Sequence, residues 1–300
     1  DSWTALNTAF SNEGAFIHVP KNTILSKPIQ VIYFSTKEHN TFYNPRNLII
    51  IEENSNVQII ESHYNLTNSE VHNNVVTEIF IERNSSLEYF KLQNDVLNSS
   101  IIDNTHITQK EKSSCDVYTF SFGSKLTRNN LHFYQEGEHI ESNLKGITLI
   151  DNNQIVDHHT LVNHKFPNCN SNEQYNGLFL GNSKGVFNGK IFVHKEAQKT
   201  NAFQKNNNVL LSDKASVDTK PQLEIFADDV KCSHGCTVGA LDQYALFYLQ
   251  SRGIPKNEAE ALLTFAFSSD ILQTIKIKVL RDKISHILSK KLNVDTDFEL

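Results

Sequence analysis

Two cysteines and a histidine, Cys232, His234 and Cys236, lie close together between Lys220 and Gly239. If this segment is extended, Cys232 and His234 point to the same face, because side chains two residues apart on a strand share a face. A thiolate and an imidazole at a strand end can bind a soft metal, or act as a nucleophile and its base. The alternative is a free core cysteine beside a surface histidine, and the pattern alone leaves these interpretations open.

The composition is that of a globular protein with a sizeable core. The 300 residues carry a net charge of -6, which argues against non-specific nucleic-acid binding because such binding needs a basic surface. No run approaches the roughly 18 apolar residues of a membrane span, and Asp1 does not begin a signal peptide. Four cysteines without a repeated framework are typical of reduced thiols in a cytosol-like compartment.

Short β-rich runs alternate with small polar corners along most of the chain. Most corners are separated by about 30 residues, with one wider gap, and such self-similarity is typical of a stacked solenoid. Asn and Ser suit these corners because their side chains bond the nearby backbone. The pattern favours a parallel β-helix over an antiparallel sandwich, because clear two-residue hairpins are absent. The corners are Asn54-Ser55-Asn56, Asn84-Ser85-Ser86, Lys112-Ser113-Ser114, Asp151-Asn152-Asn153, Asn182-Ser183-Lys184 and Ser212-Asp213-Lys214.

Histidines are concentrated in the middle of the chain, at His132, His139, His158, His159 and His164. A metal site here would need His158 and His159 to converge, but neighbouring residues on a strand face opposite ways. We therefore favour a polar solenoid surface or an interface for these side chains over a metal site.

The segment from Gly185 to Val193 (GVFNGKIFV) predicts a strand with two glycines. Such glycines are typical of tight stacking against another backbone, or of an open edge that pairs with a partner chain. The segment from Gln198 to Asn208 predicts a polar corner before the last full turn. The residues of the possible partner edge are Gly185, Phe187, Asn188 and Gly189.

Beyond Gly239 the hydrophobic period becomes helical. Gly253 is placed as a helix stop, and Pro255 is placed to start the next helix. A final helix carries an apolar stripe, with basic residues on its other face. These helices either cap the open end of the solenoid or dock another protein. The stripe comprises Ile277, Leu280, Ile284, Ile287 and Leu288, and the basic face comprises Lys276, Arg281, Lys283 and Lys290.

Several separated segments resemble, in order, the SufB/SufD family of iron–sulfur cluster assembly proteins. The similarity is dense from about residue 157 to residue 267, and the motif ADDVKCSHG is similar to the SufD branch. The SufB branch has a glutamate-containing segment there and a cysteine shortly upstream, so a SufB-like scaffold is the alternative. The segments are GVFNGKI (185–191), EAQKTNAF (196–203), NNNVLLS (206–212), TKPQLEIFADDVKCSHGCTVG (219–239) and FYLQSRGI (247–254).

The resemblance implies a mainly β protein. A right-handed parallel β-helix is expected at 1–239, with its amino-terminal helical part largely missing, and a helical region at 240–300. It also implies a non-catalytic scaffold subunit of a SufBCD complex, paired with SufB through the β-helix and bound to the SufC ATPase through the helical region. The same β edge is available for homodimers when SufB is absent. The implied location is the bacterial cytoplasm, ahead of the plastid stroma. The expected helical contact comprises Phe247, Tyr248, Arg252 and Gly253.

The resemblance further implies a transient iron–sulfur cluster at the interface with SufB, with ligands from both chains. The family's histidine position falls on His234 and the neighbouring cysteine on Cys232. Cys236 stands where a small residue such as Ala is common, and we do not assign it as a ligand. Thiolate and imidazole both suit iron. A reduced flavin is the implied reductant of the complex, with no cofactor tightly bound to this chain alone.

Two other classes of protein share some of these features. A polysaccharide-active β-helix enzyme would use the pair Asp228 and Asp229, but adjacent strand residues face opposite sides and cannot both flank one glycosidic bond. In a purely structural β-helix interaction protein, Cys232 and His234 would only pack.

Overall fold

Seventeen strands and four helices make up residues 1–292, the part of the chain that the structure, a computed structural model, describes. The helices are α1 (Ser2–Phe10), α2 (Gln243–Ser251), α3 (Lys256–Leu272) and α4 (Lys278–Lys291). The strands are β1 (Phe16–Val19), β2 (Ile29–Ser35), β3 (Thr41–Tyr43), β4 (Arg46–Ile51), β5 (Asn56–Asn65), β6 (Val71–Ile81), β7 (Ser86–Gln93), β8 (Ser99–Gln109), β9 (Ser114–Ser121), β10 (Leu126–Gln135), β11 (Glu141–Ile150), β12 (Ile155–His164), β13 (Asn170–Phe179), β14 (Lys184–Val193), β15 (Asn201–Leu210), β16 (Ser216–Ile225) and β17 (Lys231–Gly239).

The strands stack into two sheets, and every strand pair within residues 1–292 is parallel. One sheet has the order β1-β4-β6-β8-β10-β12-β14-β16, with β3 also paired to β6, and the other has the order β2-β5-β7-β9-β11-β13-β15-β17. Partners lie 26 to 32 positions apart, as in Ser100 with Leu126 and Lys184 with Ser216. Each turn therefore adds one strand to each sheet. This confirms the parallel β-helix and excludes the antiparallel sandwich.

The interior between the two sheets is filled by alternate residues of each strand. Along β14, Gly185, Phe187, Gly189, Ile191 and Val193 are buried, and the residues between them are partly exposed. Val, Ile, Leu and Tyr side chains from successive turns form a continuous apolar cluster, whose burial holds the turns together. A one-residue slip in register is disfavoured, because it would move the buried set of a strand to the outside.

The polar corners belong to two series, one where the chain enters the eight-stranded sheet and one where it leaves. The wider gap in the sequence pattern is therefore not an insertion: it is the change from the first series at Lys112 to the second at Asn152. Asn side chains stack along the first series, since Asn54 Nδ2 donates to Asn22 Oδ1 (3.0 Å) and Asn84 Nδ2 to Asn54 Oδ1 (3.2 Å). The residues with left-handed φ are Asn22, Asn54, Asn84, Lys112, His139, Asn168 and Lys199 in the first series, and Ser124, Asn152 and Gly181 in the second.

Helices α3 and α4 pack on the outer face of the eight-stranded sheet. Ile284 of α4 belongs to one apolar cluster with the outward-facing Phe90 and Phe120, and Tyr118 Oη donates to Thr274 Oγ1 at 3.1 Å. The interpretation in which these helices cap the open end of the solenoid is therefore wrong. No helix within residues 1–292 combines the length and apolar character needed to cross a membrane.

The two predicted faces of α4 have distinct roles. The apolar stripe is confirmed, since Leu280, Ile284 and Leu288 are buried against the sheet. Part of the predicted basic face also binds the sheet. Lys276, which lies two residues before α4, has its Nζ 3.1 Å from Glu88 Oε1, and Lys283 Nζ donates to Tyr64 Oη at 3.2 Å. Residues 293–300 of the predicted helical region lie outside the described residues.

The central histidines are divided between the inside and the outside of the solenoid. His158 and His164 are buried in the interior, so the prediction of a polar surface or interface is wrong for these two. His158 and His159 do face opposite ways, and His159 lies on the outside with its Nε2 2.9 Å from Asp157 Oδ1. Burial lowers the pKa of His158 to about 4 and that of His164 to about 3.

Replacing His164 by Gln is expected to make the protein less sensitive to acid. Folding lowers the pKa of His164 from its ordinary value of 6.5 to about 3, so the unfolded state binds more protons than the native state. The stability contributed by the neutral, buried His164 is therefore fully present above pH 6.5 and is lost as the pH falls from 6.5 towards 3. Gln fits this position, because Gln135 one turn earlier bonds Ser142 as His164 bonds Ser171. We expect the loss of unfolding free energy between pH 7 and pH 5 to be about 1 to 2 kcal/mol smaller in His164→Gln.

Urea denaturation at both pH values measures this difference. His286→Gln, on the exposed side of α4, is the matched control and should lose as much unfolding free energy between the two pH values as the unsubstituted protein does. An equal acid sensitivity of His164→Gln and His286→Gln would show that His164 is not the group responsible.

Candidate functional site

Strands β16 and β17 form the open end of the solenoid. Within the described residues, β17 pairs only with β15, and β16 pairs only with β14. Alternation along β17 turns Cys232, His234 and Cys236 to the same side as their in-register partners on β15. Because no further turn is stacked on them here, Cys232 is only half-buried and the other two are exposed. The partners, all buried, are Ala202, Gln204 and Asn206.

Cys232, His234 and Cys236 also carry unpaired backbone groups of β17. Lys231 N–H donates to Thr200 O at 2.9 Å, so Lys231 is bonded towards β15. The peptide groups of consecutive strand residues point alternately to the two sides of a strand. The N–H and C=O of Cys232, His234 and Cys236 therefore point to the open edge, and the metal-binding side chains of the same residues stand on the face that they share with their β15 partners.

The open edge of β16 contains a proline. Ser216 N–H donates to Ser183 O at 3.1 Å, which bonds Ser216 towards β14. The same alternation turns the backbone of Pro221 to the open edge. A residue without an N–H is tolerated there, because no ladder hydrogen bond is lost. The sequence position of Pro221 is thus itself a sign of an edge strand.

The partner edge predicted on β14 is not an edge. β14 pairs with β12 on one side and with β16 on the other, so its backbone is not available to another chain. Its glycines do allow a close approach, but the approach is by side chains and not by another backbone as predicted. An added Cβ at Gly185 would lie 2.3 Å from Phe179 Cζ, and one at Gly189 would lie 2.2 Å from Gln204 Nε2. The residues concerned, Gly185, Phe187, Asn188 and Gly189, thus belong to an interior strand.

Cys232 and His234 have the spacing of two donors to one iron site. Their Cα atoms are about 7 Å apart along the strand, whereas those of Cys232 and Cys236 are about 13 Å apart. The shorter distance lets a sulfur and a ring nitrogen reach the same iron atom or cluster, and the longer one is too great for two sulfurs on a single iron. In residues 1–292, no three His, Cys, Asp or Glu side chains converge to hold one metal ion.

The four cysteines differ in access and in thiol acidity. Cys115 and Cys169 are buried, and burial raises the pKa of both thiols. Burial also raises the pKa of the half-buried Cys232 thiol, opposed by a backbone hydrogen bond with Ala202. A metal must therefore displace a proton from Cys232 in order to bind it.

Two buried polar residues behind the open end escaped the sequence prediction. Gln204 Nε2 donates to Glu173 Oε2 at 2.6 Å, and burial raises the pKa of Glu173 to about 7. Residues 201–210, which include Gln204, form β15 and are not the polar corner predicted from their composition. The length of a turn is the sequence signal that could have found these two residues, since Gln204 pairs with Glu173, 31 residues earlier, and with His234, 30 residues later.

Helix α2 presents aromatic side chains to solvent. Phe247 and Tyr248 are 71% and 57% exposed, and the Arg252 guanidinium lies 5.3 Å from the centre of the Tyr248 ring. Gly253, with a φ of 89°, ends this segment in a conformation that favours glycine. The predicted contact residues thus share one exposed surface, and the exposed Tyr244 extends it.

Comparison with known families gives an unambiguous result. The sequence model described as "SUF system FeS cluster assembly, SufBD core domain" matches residues 33–267, and that of the SufBD protein N-terminal region matches residues 1–31. The chain belongs to the SufBD family. The SufBD core match includes the two sheets from β3 onwards, the edge strands β16 and β17, and most of α3.

Individual SufBD proteins are similar over almost the whole chain. An iron-sulfur cluster assembly SufBD family protein of Synechocystis is 33% identical over 95% of this chain. The iron-sulfur cluster assembly proteins SufD of Escherichia coli and Bacillus subtilis are 28% and 27% identical, each over 96% of it. The chain spans 65%, 69% and 66% of the lengths of these three relatives. This confirms the predicted SufB/SufD family, close to SufD.

The carboxylate pair Asp228 and Asp229 lies in the exposed corner between β16 and β17. Asp229 N–H donates to Gln198 Oε1 at 2.9 Å, and its carbonyl oxygen accepts from Lys199 N–H at 2.6 Å. The backbone of the pair thus closes a solenoid corner, which is a structural role for these residues.

Alkylation of the isolated, folded chain by iodoacetamide is expected to distinguish the four thiols. Cys236 is the most exposed and should react fastest, followed by the half-buried Cys232. Cys115 and Cys169 should react at least about tenfold more slowly, because they are buried and burial raises their pKa values. Mass spectrometry of tryptic peptides measures each rate. Cys236→Ser is the control, since it should abolish only the fastest phase. Rapid labelling of Cys115 in folded protein would contradict the interior position of β9.

Proposed function

We propose that this chain is a SufD-like, non-catalytic scaffold subunit that takes part in iron–sulfur cluster assembly in a complex with SufB and SufC. The observation that carries the proposal is the position of Cys232 and His234 on the open edge strand of the solenoid, inside the matched SufBD core. The cluster is the cargo of this site and not a resident cofactor.

His234 and Cys232 are the proposed donors to the nascent cluster, with the remaining ligands supplied by SufB. Their side chains share a face, and their spacing of about 7 Å suits one cluster. Cys236 has the same spacing from His234 but lies on the far side from Cys232, so it is not assigned as a ligand. A site completed by a second chain can form when the chains pair and release its cluster when they separate.

The proposed contact with SufB uses the unpaired edges of β16 and β17. Exposed edge groups pair readily with another strand, and here the edge carries the donor side chains as well. Strand β14 pairs with the edge strand β16 and is not itself an edge strand. When SufB is absent, the same edge can pair two copies of this chain.

The proposed contact with the SufC ATPase is the exposed surface of α2, formed by Tyr244, Phe247, Tyr248 and Arg252. Aromatic residues and Arg are enriched at the energetic centres of protein interfaces. Helices α3 and α4 are packed on the sheet, so movement of SufC can be transmitted from α2 to the β-helix. The flavin reductant and the location in a bacterial cytoplasm stay predictions, and we assign no residue of this chain to the flavin.

His234→Ala is expected to reduce cluster formation strongly. The variant is co-purified with SufB and SufC and reconstituted anaerobically with iron and sulfide, and the cluster absorbance is followed in time. Loss of one of the few ligands should lower the initial rate by about tenfold or more. Ser233→Ala, on the opposite face of the same strand, is the matched control and should retain the normal rate. Wild-type cluster formation by His234→Ala would refute the assigned role.

The double variant Phe247→Ser/Tyr248→Ser is expected to bind SufC at least about tenfold more weakly, because it removes two exposed aromatic anchors. Isothermal titration of SufC into the chain measures this affinity. Val279→Ser, which removes an equally exposed apolar side chain from α4, is the control. If Val279→Ser weakened binding and the double variant did not, the contact would have to be moved to α4.

A further inference from the structure

Three polar side chains from consecutive turns form a column that ends at the open edge. In-register pairing places Glu173 of β13 beside Gln204 of β15, and Gln204 beside His234 of β17. Neighbouring strands are about 4.8 Å apart and their in-register side chains point the same way. Glu173 and Gln204 are 1% and 3% exposed, whereas His234 is exposed to solvent. The column thus leads from the interior to the candidate iron ligand.

Hydrogen bonding fixes the orientation of the Gln204 amide. Its Nε2 donates to Glu173 Oε2 at 2.6 Å, so the amide nitrogen is turned towards Glu173 and Oε1 is the free end. Oε1 is buried and has no hydrogen-bond partner in the described part of the chain. A buried carbonyl oxygen that lacks a donor is unfavourable. The interior directly behind His234 therefore contains an acceptor without a donor.

The fold leaves space for this amide at Gly189. An added Cβ at Gly189 would lie 2.2 Å from Gln204 Nε2 and 2.9 Å from its Cδ, so any larger residue there would displace the amide. Thr219 of β16 also has a buried hydroxyl without a partner. A hydroxyl can donate as well as accept, however, and cannot impose one tautomer on a histidine, whereas a carbonyl oxygen can only accept.

We propose that Gln204, held by Glu173, is a positioning residue for His234. The inference rests on the proposed function of His234 as a cluster ligand. When the exposed His234 side chain turns inward, the free Gln204 Oε1 accepts the N–H of its imidazole, which fixes the tautomer and leaves the other, unprotonated nitrogen facing the partner chain. Ligating histidines commonly donate their second ring N–H to an oxygen acceptor in this way. The flanking thiols of Cys232 and Cys236 are weak acceptors.

The tautomer of His234 is the first readout, and it needs no cluster. The isolated chain is labelled with ¹⁵N-histidine and studied at pH 8, and the His234 signals are assigned by comparison with His234→Gln. One tautomer should predominate in the unsubstituted protein. Gln204→Met, which has a similar shape but no amide acceptor, should show both tautomers. Thr219→Val is the matched control at the same open end and should leave the single tautomer unchanged.

The iron requirement is the second readout. In the complex with SufB and SufC, the Fe²⁺ concentration for half-maximal cluster formation should be about tenfold higher with Gln204→Met and unchanged with Thr219→Val. A shifted tautomer with an unchanged iron requirement would overturn the positioning role. A shift in Thr219→Val that equals the one in Gln204→Met would also overturn it.

The two proposals fail separately. An unchanged tautomer in Gln204→Met overturns the role of Gln204, even when His234→Ala abolishes cluster formation. Normal cluster formation by His234→Ala overturns the ligand role, whatever the tautomer. If Gln204→Met does not fold, Gly189→Ala replaces it, because its Cβ displaces the amide while position 204 is left intact. A single tautomer in folded Gly189→Ala would likewise contradict the inference.

Discussion

The in-register stacking of parallel turns is the constraint on which the rest of this structure depends. The backbone ladders hold each strand about 4.8 Å from the next, so the neighbours of a side chain are residues about 30 positions away in the sequence. A stack of this kind has an interior but also has ends, where a strand lacks a partner on one side. The candidate site of this SufBD protein lies at such an end and is formed by one edge strand, β17, backed by β15.

The interior of the stack is not uniformly apolar, and its polar part has consequences for the site. Buried polar groups need partners, and earlier turns supply them within the solenoid, as in the buried ion pair of Lys91 and Asp103, with Nζ 2.5 Å from Oδ1. Near the open end, Asn208 Nδ2 donates to Asn206 Oδ1 at 2.7 Å, but Gln204 keeps one acceptor free. Polar side chains thus extend from the interior of the solenoid to the candidate metal ligands of β17.

Much of the fold could be predicted from the sequence, because a solenoid repeats its signals. Asn54 and Asn84 mark corners one turn apart, and Asn tolerates the left-handed φ that these corners require. The alternation that put Cys232 and His234 on one face is likewise a local property. The dense motifs around them, from Gly185 onwards, indicate the SufB/SufD family by sequence alone.

The remainder depends on which strand lies next to which, and composition does not contain that information. The glycines of β14 indicated either an edge or a close approach, and only the pairing with β12 and β16 decides between them. The buried positions of His158 and His164 depend on which alternate set faces inward. A polar residue such as Gln204 looks like a surface residue in the sequence. It is buried because it bonds a residue one turn away, and the sequence does not reveal that partner.

Pro221 has a consequence for growth of the stack. A solenoid with an open last turn is a template on which further strands can be added, and repeated addition leads to fibres. Pro221 removes one donor from that template, so a chain that pairs with β16 must leave one of its own carbonyl groups without a partner at this level. A partner that also shares metal ligands with β17 gains binding energy that offsets the unpaired carbonyl group. Repeated end-to-end stacking of solenoids has no such gain. The proline therefore makes the open end selective.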